Sequence, residues 1–465
     1  MSLFRRKNVA MLEGPLIPKI FALAIPLMIS NLLQMLYSAA DMIVVARSGV
    51  SGAVGAIGST TQVIQLVLVL SVGFAVGANV LVARAIGAKD EKKVSDAVHT
   101  ALLTALLFGS VGGTIGFVFS EQFMIWMGAE GDLLKMAVKY CRIRFIGLPF
   151  LAMTNFLIAI FRAKGDGTTP LMSLALSGLV NVLLNLVFVL VFGMDVDGVA
   201  WATAIASVLS VVQMLLHLRQ EDGPCRFSFR LLRIDGAILG ELLRIGLPAS
   251  LQSALYTISN LLISSSLIAL NNRMFPGGSA VLDGNSAAFN VSNLATTCCD
   301  ALALSYVSFA GQHCGAKLYK RLKTFIADAY LCSFCFSLVL SLTISLLRKP
   351  LLSLYLTDPA AYEVASTRMD FMMNLYFLGA TMSCGAQILR GMGWSMTAAL
   401  ITLITTCVLR VVWVYTVFAK VQTLPVLYMS YPLSWVLAAI AQFIGVVVCY
   451  RRLVKKAQLE TAAIG

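Results

Sequence analysis

Charge is scarce in this chain. Only 12% of its 465 residues are Asp, Glu, Lys or Arg, about half the roughly 25% of a soluble globular protein. Histidine is rarer still, at three: His99, His217 and His313. With so few imidazoles, no His-Glu-x-x-His and no Gly-x-Ser-x-Gly, a membrane enzyme has no metal set or nucleophile to work with. The three histidines fall near helix ends and read as surface or structural residues. Polar stretches long enough to form a soluble domain are missing too. Cysteine is not scarce, at ten, but it is scattered and sits mostly inside apolar runs. Cys332 and Cys335 form a Cys-x-x-Cys, and Cys298 and Cys299 are adjacent. No Cys/His cluster stands beside them to complete a zinc site, so they read as small packing residues. No cofactor and no permanent metal is expected.

What fills the chain is apolar, 59% of it. Long runs recur from Phe21 to Tyr450, each able to cross a hydrocarbon core with about 20 residues. The short alternating segments of a β-barrel, about 10 residues each, are absent. Twelve spans can be counted, at roughly 19–46, 57–83, 95–119, 138–161, 170–193, 198–218, 242–270, 286–310, 325–347, 368–390, 395–419 and 428–450. The fold class is therefore an all-α polytopic membrane protein with twelve transmembrane helices. Arg5, Arg6 and Lys7 precede a long first span with no small-residue cleavage site. That span is expected to be retained, not removed as a signal peptide.

The net charge of +13 would suit a nucleic-acid partner, but its placement argues against one. Basic residues gather in alternate loops: Arg5, Arg6, Lys7 and Lys19; Arg84, Lys89, Lys92 and Lys93; Arg162 and Lys164. They gather again at Arg219, Arg226, Arg230 and Arg233, at Lys317, Lys320, Arg321 and Lys323, and at Arg451, Arg452, Lys455 and Lys456. The other set of loops holds mainly Arg47, Lys135, Lys139, Arg273, Arg348, Lys349 and Lys420. This is the positive-inside bias. It predicts a multi-pass protein of the cytoplasmic membrane with both termini cytoplasmic, a lipid bilayer as its surroundings and no nucleic-acid partner.

The chain reads as two copies of one unit. "ALAIPLMISNLL" (22–33) parallels "RIGLPASLQSAL" (244–255), with Pro26 and Pro248 in register. "ARAIGAKD" (83–90) parallels "GQHCGAKL" (311–318), and "IFRAKGDGTTP" (160–170) parallels "ILRGMGWSMTA" (388–398). Three matches in order at a steady offset predict two pseudo-symmetric six-helix lobes, 1–218 and 242–465, joined by a cytoplasmic linker, 219–241. Six spans per lobe return the chain to the same side, so the lobes are related by an axis along the membrane normal. In transporters built this way the substrate site lies near the midplane and rocking gives alternating access. The two prolines either shape the start of their helices or kink them as hinges. A monomer is expected.

An ionisable residue at the centre of a span costs about 2.5–3.5 kcal/mol on insertion scales, and it normally faces the bundle interior or a wet cavity. Asp41 is such a residue. Asn31, Gln34, Ser38 and Asp41 follow a three, four, three spacing and share one helical face, with Tyr37 among them. The eighth span repeats the spacing with Asn290, Asn293, Thr297 and Asp300. Ser177, Asn181 and Asn185 recur every four residues in the fifth span, as do Thr203 and Ser207 in the sixth. Such polar residues either bond neighbouring helices together or line a cavity. The expected substrate cavity comprises Asn31, Gln34, Tyr37, Ser38, Asn290, Asn293, Thr297 and Asp300. Met35, Met42, Met153 and Met172 suit either a surface that re-packs around varied ligands or ordinary core filling.

The segments "LLQMLYSAADMIVV" (32–45), "VGANVLVARAIGAKD" (76–90), "FRAKGDGTTPLMSLALSGLVNVLLNLVFV" (161–189), "GVAWATAIAS" (198–207), "SFAGQHCGAK" (308–317) and "LRGMG" (389–393) together resemble the multidrug and toxic compound extrusion (MATE) transporters, over nearly the whole length. The resemblance implies two six-helix lobes around a V-shaped cavity. It also implies export of amphipathic, often cationic compounds in exchange for H⁺ or Na⁺. In the family's amino-terminal lobe a first-helix Asp meets an Asn-x-x-x-Asp pair and a Thr; the matching positions here are Asp41, Asn181, Asn185 and Thr203. Asn185 departs from the pattern, because one carboxylate of the pair is missing. The carboxy-terminal lobe departs further, with Tyr256 and Gly379 aligned to the cation-binding acids of some relatives.

These readings converge on a secondary antiporter whose cation, H⁺ or a transported Na⁺, is exchanged at Asp41, with Asn181, Asn185 and Thr203 supplying oxygens. The alternative within the same superfamily is a flippase of a lipid-linked or polyanionic substrate. Only Arg410, and Arg142 and Arg144 near a helix start, are available to bind its phosphate.

Overall fold

The computed structural model of the chain describes residues 8–46 and 53–462; Arg5, Arg6, Lys7 and Arg47 lie outside the described residues. Within them the chain is almost wholly helical. The first half runs through α1 (Leu16–Ala46), α2 (Ala53–Gly87), α3 (Glu91–Trp126), α4 (Gly131–Ile146), α5 (Leu148–Ala163), α6 (Thr168–Leu186) and α7 (Val196–Arg219), with a π-helical stretch, Val187–Val191, continuing α6. The second half runs through α8 (Gly236–Met274), α9 (Ala280–Gly315), α10 (Tyr319–Leu346), α11 (Arg348–Ser353), α12 (Pro359–Met372), α13 (Tyr376–Gly391), α14 (Ser395–Thr402), α15 (Leu409–Trp413) and α16 (Leu424–Ala462). Two π-helical stretches, Leu403–Val408 and Val414–Phe418, bracket α15.

Ten of the described helical segments are long and apolar enough to cross a membrane. The pair α4 and α5, bent by 47°, adds an eleventh crossing. By length and composition these account for eleven of the twelve expected spans. The span expected at 368–390 is divided between α12 and α13, neither longer than 16 residues, and α12 carries Glu363, Arg368 and Asp370. Its charge and its break keep it from reading as one apolar crossing.

The duplication is written into the backbone. Lys89 and Lys317, the lysines of the two Gly-Ala-Lys matches, both take a left-handed conformation, at φ 55° and 53°. A side chain in that region clashes with its own carbonyl, so few residues adopt it by chance. Gly165 and Gly393, closing the two Arg-x-x-Gly matches, are left-handed as well, at φ 89° and 80°. The arginines that open these matches, Arg162 and Arg390, are both buried. Pro26 and Pro248 lie well inside α1 and α8, so neither merely begins a helix.

The chain forms two compact units. Among the described residues the first comprises 8–10, 22–46 and 53–250, the second 11–21 and 251–462. Thus α1 and α8 each begin in one unit and finish in the other, and in both the changeover falls beside the interior proline. In the first unit α2 and the start of α8 meet backbone to backbone. A Cβ on Gly73 would lie 2.4 Å from Ser250 Cα, and one on Gly77 would lie 2.7 Å from the Leu242 carbonyl oxygen. Two glycines one turn apart leave the flat surface that such an approach requires. Glu241 adds ion pairs with Arg84 (3.8 Å) and Lys93 (3.7 Å).

Residues 219–241, the expected linker, fold against the first unit. Arg233 pairs with Asp96 at 2.9 Å, and the Asp235 N–H donates to the Thr100 hydroxyl at 3.1 Å. His99 is fully buried. Its Nδ1 lies 2.7 Å from the Ser95 carbonyl and can only donate there, which leaves Nε2 to accept the Ser228 N–H at 3.1 Å. The imidazole is structural, and it ties the linker to α3.

In the second unit, aromatic residues of α12, α13 and α16, among them Tyr376, Tyr428, Tyr431 and Trp435, build the core with aliphatic residues of α8. Trp435 meets Tyr376 and Tyr431 edge-on, with centroids 5.7 and 6.0 Å apart.

Candidate functional site

The site forms in the first unit where α1, α6 and α7 meet. Asp166 caps α6, accepting from the backbone N–H groups of Thr168 and Thr169, both at 3.0 Å, and from both hydroxyls. A carboxylate at a helix N-terminus satisfies donors that the helix leaves open. Tyr37 then sets the spacing between α1 and α6. Its hydroxyl donates to the Ala175 carbonyl at 3.1 Å, and its ring fills the space a Cβ on Gly178 would need, with ring carbon Cε2 only 1.8 Å from that position. Asp41 lies one turn beyond Tyr37 on the same face.

Asp41 is half-buried, whereas Asn181 and Asn185 are at most 5% exposed. The Asn185 side-chain N–H donates to Asp41 Oδ1. Asn181 contacts Thr203, with amide nitrogen and hydroxyl 3.4 Å apart. Turning the Asn181 amide over improves both ends. Its nitrogen then stands 2.9 Å from Asp41 Oδ1, and its oxygen accepts the Thr203 backbone N–H at 3.2 Å. An ionised carboxylate can only accept, so beside an ionised Asp41 the turned amide fits better, in exchange for the 3.4 Å contact in which Asn185 donates to Asn181 Oδ1. Thr203 Oγ1 itself donates to the Val199 carbonyl at 2.9 Å. The four residues picked out in the sequence therefore form one cluster. Oδ1 of the buried Asn185 has no hydrogen-bond partner. An unpaired acceptor beside a carboxylate suits a small cation or a proton, which needs an oxygen on its second side.

Sequence reasoning missed two members. Arg144 and Tyr140, both from α4, stand within electrostatic range of Asp41. Among the described residues no ion pair to Asp41 forms within 4 Å. Arg144 had a signal in the sequence, a cation inside a span, but nothing there said which carboxylate it faces.

The other expected cavity residues lie elsewhere. Asn31 is half-buried, and Gln34 and Ser38 are exposed on α1, where Ser38 donates to the Gln34 carbonyl at 3.0 Å. Asn290 and Asp300 are exposed and Asn293 and Thr297 half-buried, all on α9. These four belong to the second unit. The arginines weighed for phosphate binding fall in different settings. Arg142 pairs with Glu121 at 3.8 Å and covers the Phe117 ring. Arg410 is buried in the second unit.

A duplicated bundle of membrane-spanning helices, with a half-buried carboxylate held between amides in one copy, has the form of a membrane transporter. The MatE family model matches residues 26–187 and 248–416, one stretch in each copy, so the chain belongs to that family. It is 28% identical over 379 residues to the "probable multidrug resistance protein YoeA" of Bacillus subtilis strain 168, covering 78% of this chain and 80% of that one. It is 24% identical over 404 residues to the "probable multidrug resistance protein NorM" of Thermotoga maritima, covering 84% of each. Among solved structures, it is similar to an outward-facing multidrug resistance MATE family transporter of the MOP superfamily. The TM-score is 0.88 at 23% identity, over 97% of this chain and 99% of that one. A Pyrococcus furiosus transporter of the same superfamily, described as having a binding pocket of reversed polarity, superposes with a TM-score of 0.85 at 23% identity, over 96% and 98% of the two chains.

Proposed function

We propose that this transporter exports amphipathic organic cations from the cytoplasm in exchange for H⁺, with Asp41 as the residue that exchanges the two. The observation that carries the reading is the Asp41 cluster, a lone carboxylate held by two buried amides inside a membrane span. Structural adhesion between helices needs no ionisable group. A carboxylate that alternately holds a proton and a positive charge does.

The amides favour H⁺ over Na⁺. Asn181 and Asn185 both turn N–H toward Asp41, the arrangement of donors around a carboxylate. Sodium, a hard cation, would need amide oxygens in those places, and the second acid that would help neutralise it is Asn185 here. A proton requires only one amide to turn. The protonated Asp41 then donates to an oxygen such as the unpaired Asn185 Oδ1, and the N–H groups no longer face an anion.

The cycle follows. With the site open outward, Asp41 takes a proton and loses its hold on the organic cation. With the site open inward, it releases the proton and a cationic substrate takes its place. The interior prolines of α1 and α8, each beside the changeover between the compact units, are the hinges on which α1 and α8 bend. Exchange of one H⁺ for one monovalent cation moves no net charge, so only the pH gradient drives it. A tenfold proton gradient supplies about 1.4 kcal/mol.

The test is ethidium transport in proteoliposomes of the full chain, with pH, voltage and sodium gradients imposed one at a time. Ethidium movement driven by a pH gradient and unaffected by voltage or sodium supports the reading. A sodium-driven flux at uniform pH would overturn the choice of ion, and wild-type flux in Asp41→Asn would overturn the site.

A further inference from the structure

Arg410 lies near the middle of the fifth span of the second copy and has no exposed surface. Its guanidinium is held from three sides. Nε donates to Ser434 Oγ at 3.2 Å and Nη1 to Asn260 Oδ1 at 2.9 Å. The Tyr431 ring stacks against it with its centroid 4.2 Å away, and the Tyr256 ring covers it at 5.1 Å. Tyrosine faces attract a cation but do not neutralise it. Among the described residues no carboxylate lies within ion-pair distance of Arg410. Its Nη2, also buried, has no partner at all. A permanent charge inside a span normally finds a counter-charge, and a buried donor normally finds an acceptor. Here both are outstanding on the same nitrogen.

The duplication says what this place corresponds to. Gly393 follows Gly165, and Tyr431 follows Thr203, by 228 residues in each case. Arg410 follows Asn181 by 229. The 228-residue offset holds on both sides of Arg410, at Gly393 and at Tyr431, so Arg410 falls one residue from the place of Asn181, and Tyr431 falls at that of Thr203. The π-helical stretch Leu403–Val408, which has no counterpart among the described residues of the first copy, lies just before Arg410 and locally re-aims the side chains that follow it. On the first helix of the copy, counting from Pro248 as from Pro26, Asn260 falls at the place of Ser38 and Tyr256 at that of Gln34.

We propose that the second unit carries the charge-inverted counterpart of the Asp41 site: a binding site for a small monovalent anion, centred on Arg410 Nη2 and screened by Tyr256 and Asn260. The anion is a halide or a single carboxylate group, the latter presented by a transported organic acid. Arg410 supplies the charge, Tyr431 and Ser434 fix the guanidinium plane, and the half-buried Tyr256 ring moves aside to admit the ligand. This goes beyond the proposed cation exchange and does not depend on it.

The experiment is a thermal-unfolding titration of the full chain in phosphatidylcholine nanodiscs, without ion gradients. Sodium gluconate is replaced by sodium chloride, or by sodium benzoate, at constant ionic strength. The expected result is a melting temperature that rises saturably by several degrees with one or both anions. Response to chloride alone identifies a halide site, and a tighter response to benzoate identifies a carboxylate site. Arg410→Gln is expected to abolish the rise. Because Arg410→Gln removes a buried anchor and can prevent folding, Asn260→Asp is the second variant. It places a carboxylate against the guanidinium, so the anion response is expected to fall at least tenfold while the fold is kept. A wild-type protein indifferent to both anions, or an Asn260→Asp variant with an undiminished response, overturns the proposal. Asp41→Asn is expected to keep the full anion response, which separates failure here from failure of the cation site.

Discussion

Asn185 donates its side-chain N–H to Asp41 Oδ1 across 144 residues of chain, joining α6 to α1. This contact ties the carboxylate of the cluster to a second helix, and the proposed transport cycle requires it to break. In Asp41→Asn the contact survives as a neutral hydrogen bond, while the exchangeable charge is gone. Gradient-driven ethidium export is expected to fall at least about tenfold, the equivalent of about 1.4 kcal/mol, with unfolding temperature unchanged or raised. Proteoliposome flux and a thermal melt on the same preparation check both halves.

Asn185→Asp puts a second acid beside the first. Two carboxylates sharing a site cannot both stay ionised without a cation between them. Sodium is expected to gain access: export driven by a sodium gradient at uniform pH should appear in the variant and be negligible in the wild type. Paired flux measurements in sodium and potassium media read the difference.

Tyr37 and Gly178 fix how closely α1 approaches α6. Gly178→Leu drives a side chain into the ring and pushes the helices apart. A loss of about 1–3 kcal/mol is expected from overpacking, with export lost because Asp41 is carried away from both amides. Gly178→Leu combined with Tyr37→Ala should recover stability in a thermal melt. It should not recover the pH dependence of export, since the Tyr37 strut is gone.

Outside the spans, Cys225 sits in the linker, 6% exposed. Burial is the main cause that pushes its thiol up to about 11, with Lys164 pulling weakly the other way. At neutral pH it is protonated and hidden, so alkylation by iodoacetamide in the folded protein is expected to be slow, as mass spectrometry of digests can follow. A thiol held neutral by the fold stabilises it fully below the unfolded value near 9. That contribution is lost as the pH rises toward 11, the unfolded chain ionising first. Thermal stability should therefore fall between about pH 9 and 11, and Cys225→Ser should lessen that fall.

The helices and their doubling were legible in the sequence, because each leaves a local trace: an apolar run, a repeated Gly-Ala-Lys. Polar residues at every third or fourth position marked the faces that carry the Asp41 cluster, but the grouping of its four members came from the resemblance to the MATE transporters. The paired left-handed lysines and glycines show that the repeat was structural and not accidental. The break between α12 and α13 was not legible, since hydropathy averages over the charges of α12. Nor was the approach of Arg144 and Tyr140 to Asp41, which depends on how α4 packs. The amide orientations at Asn181 and Asn185, on which the choice between H⁺ and Na⁺ turns, exist only once three helices are together. Arg410 stood out as a cation within a span, but its tyrosine setting exists only once α8 and α16 pack around it.

The π-helical stretch Leu403–Val408 has a consequence for how such proteins diversify. A π-helical turn departs from the regular ladder and bends the helix locally, so it presents a different side chain at one place while the repeat offset is the same again at Tyr431. Two copies of one unit can thereby differ in electrical character at matching depths through a local change of winding, on an otherwise matched scaffold.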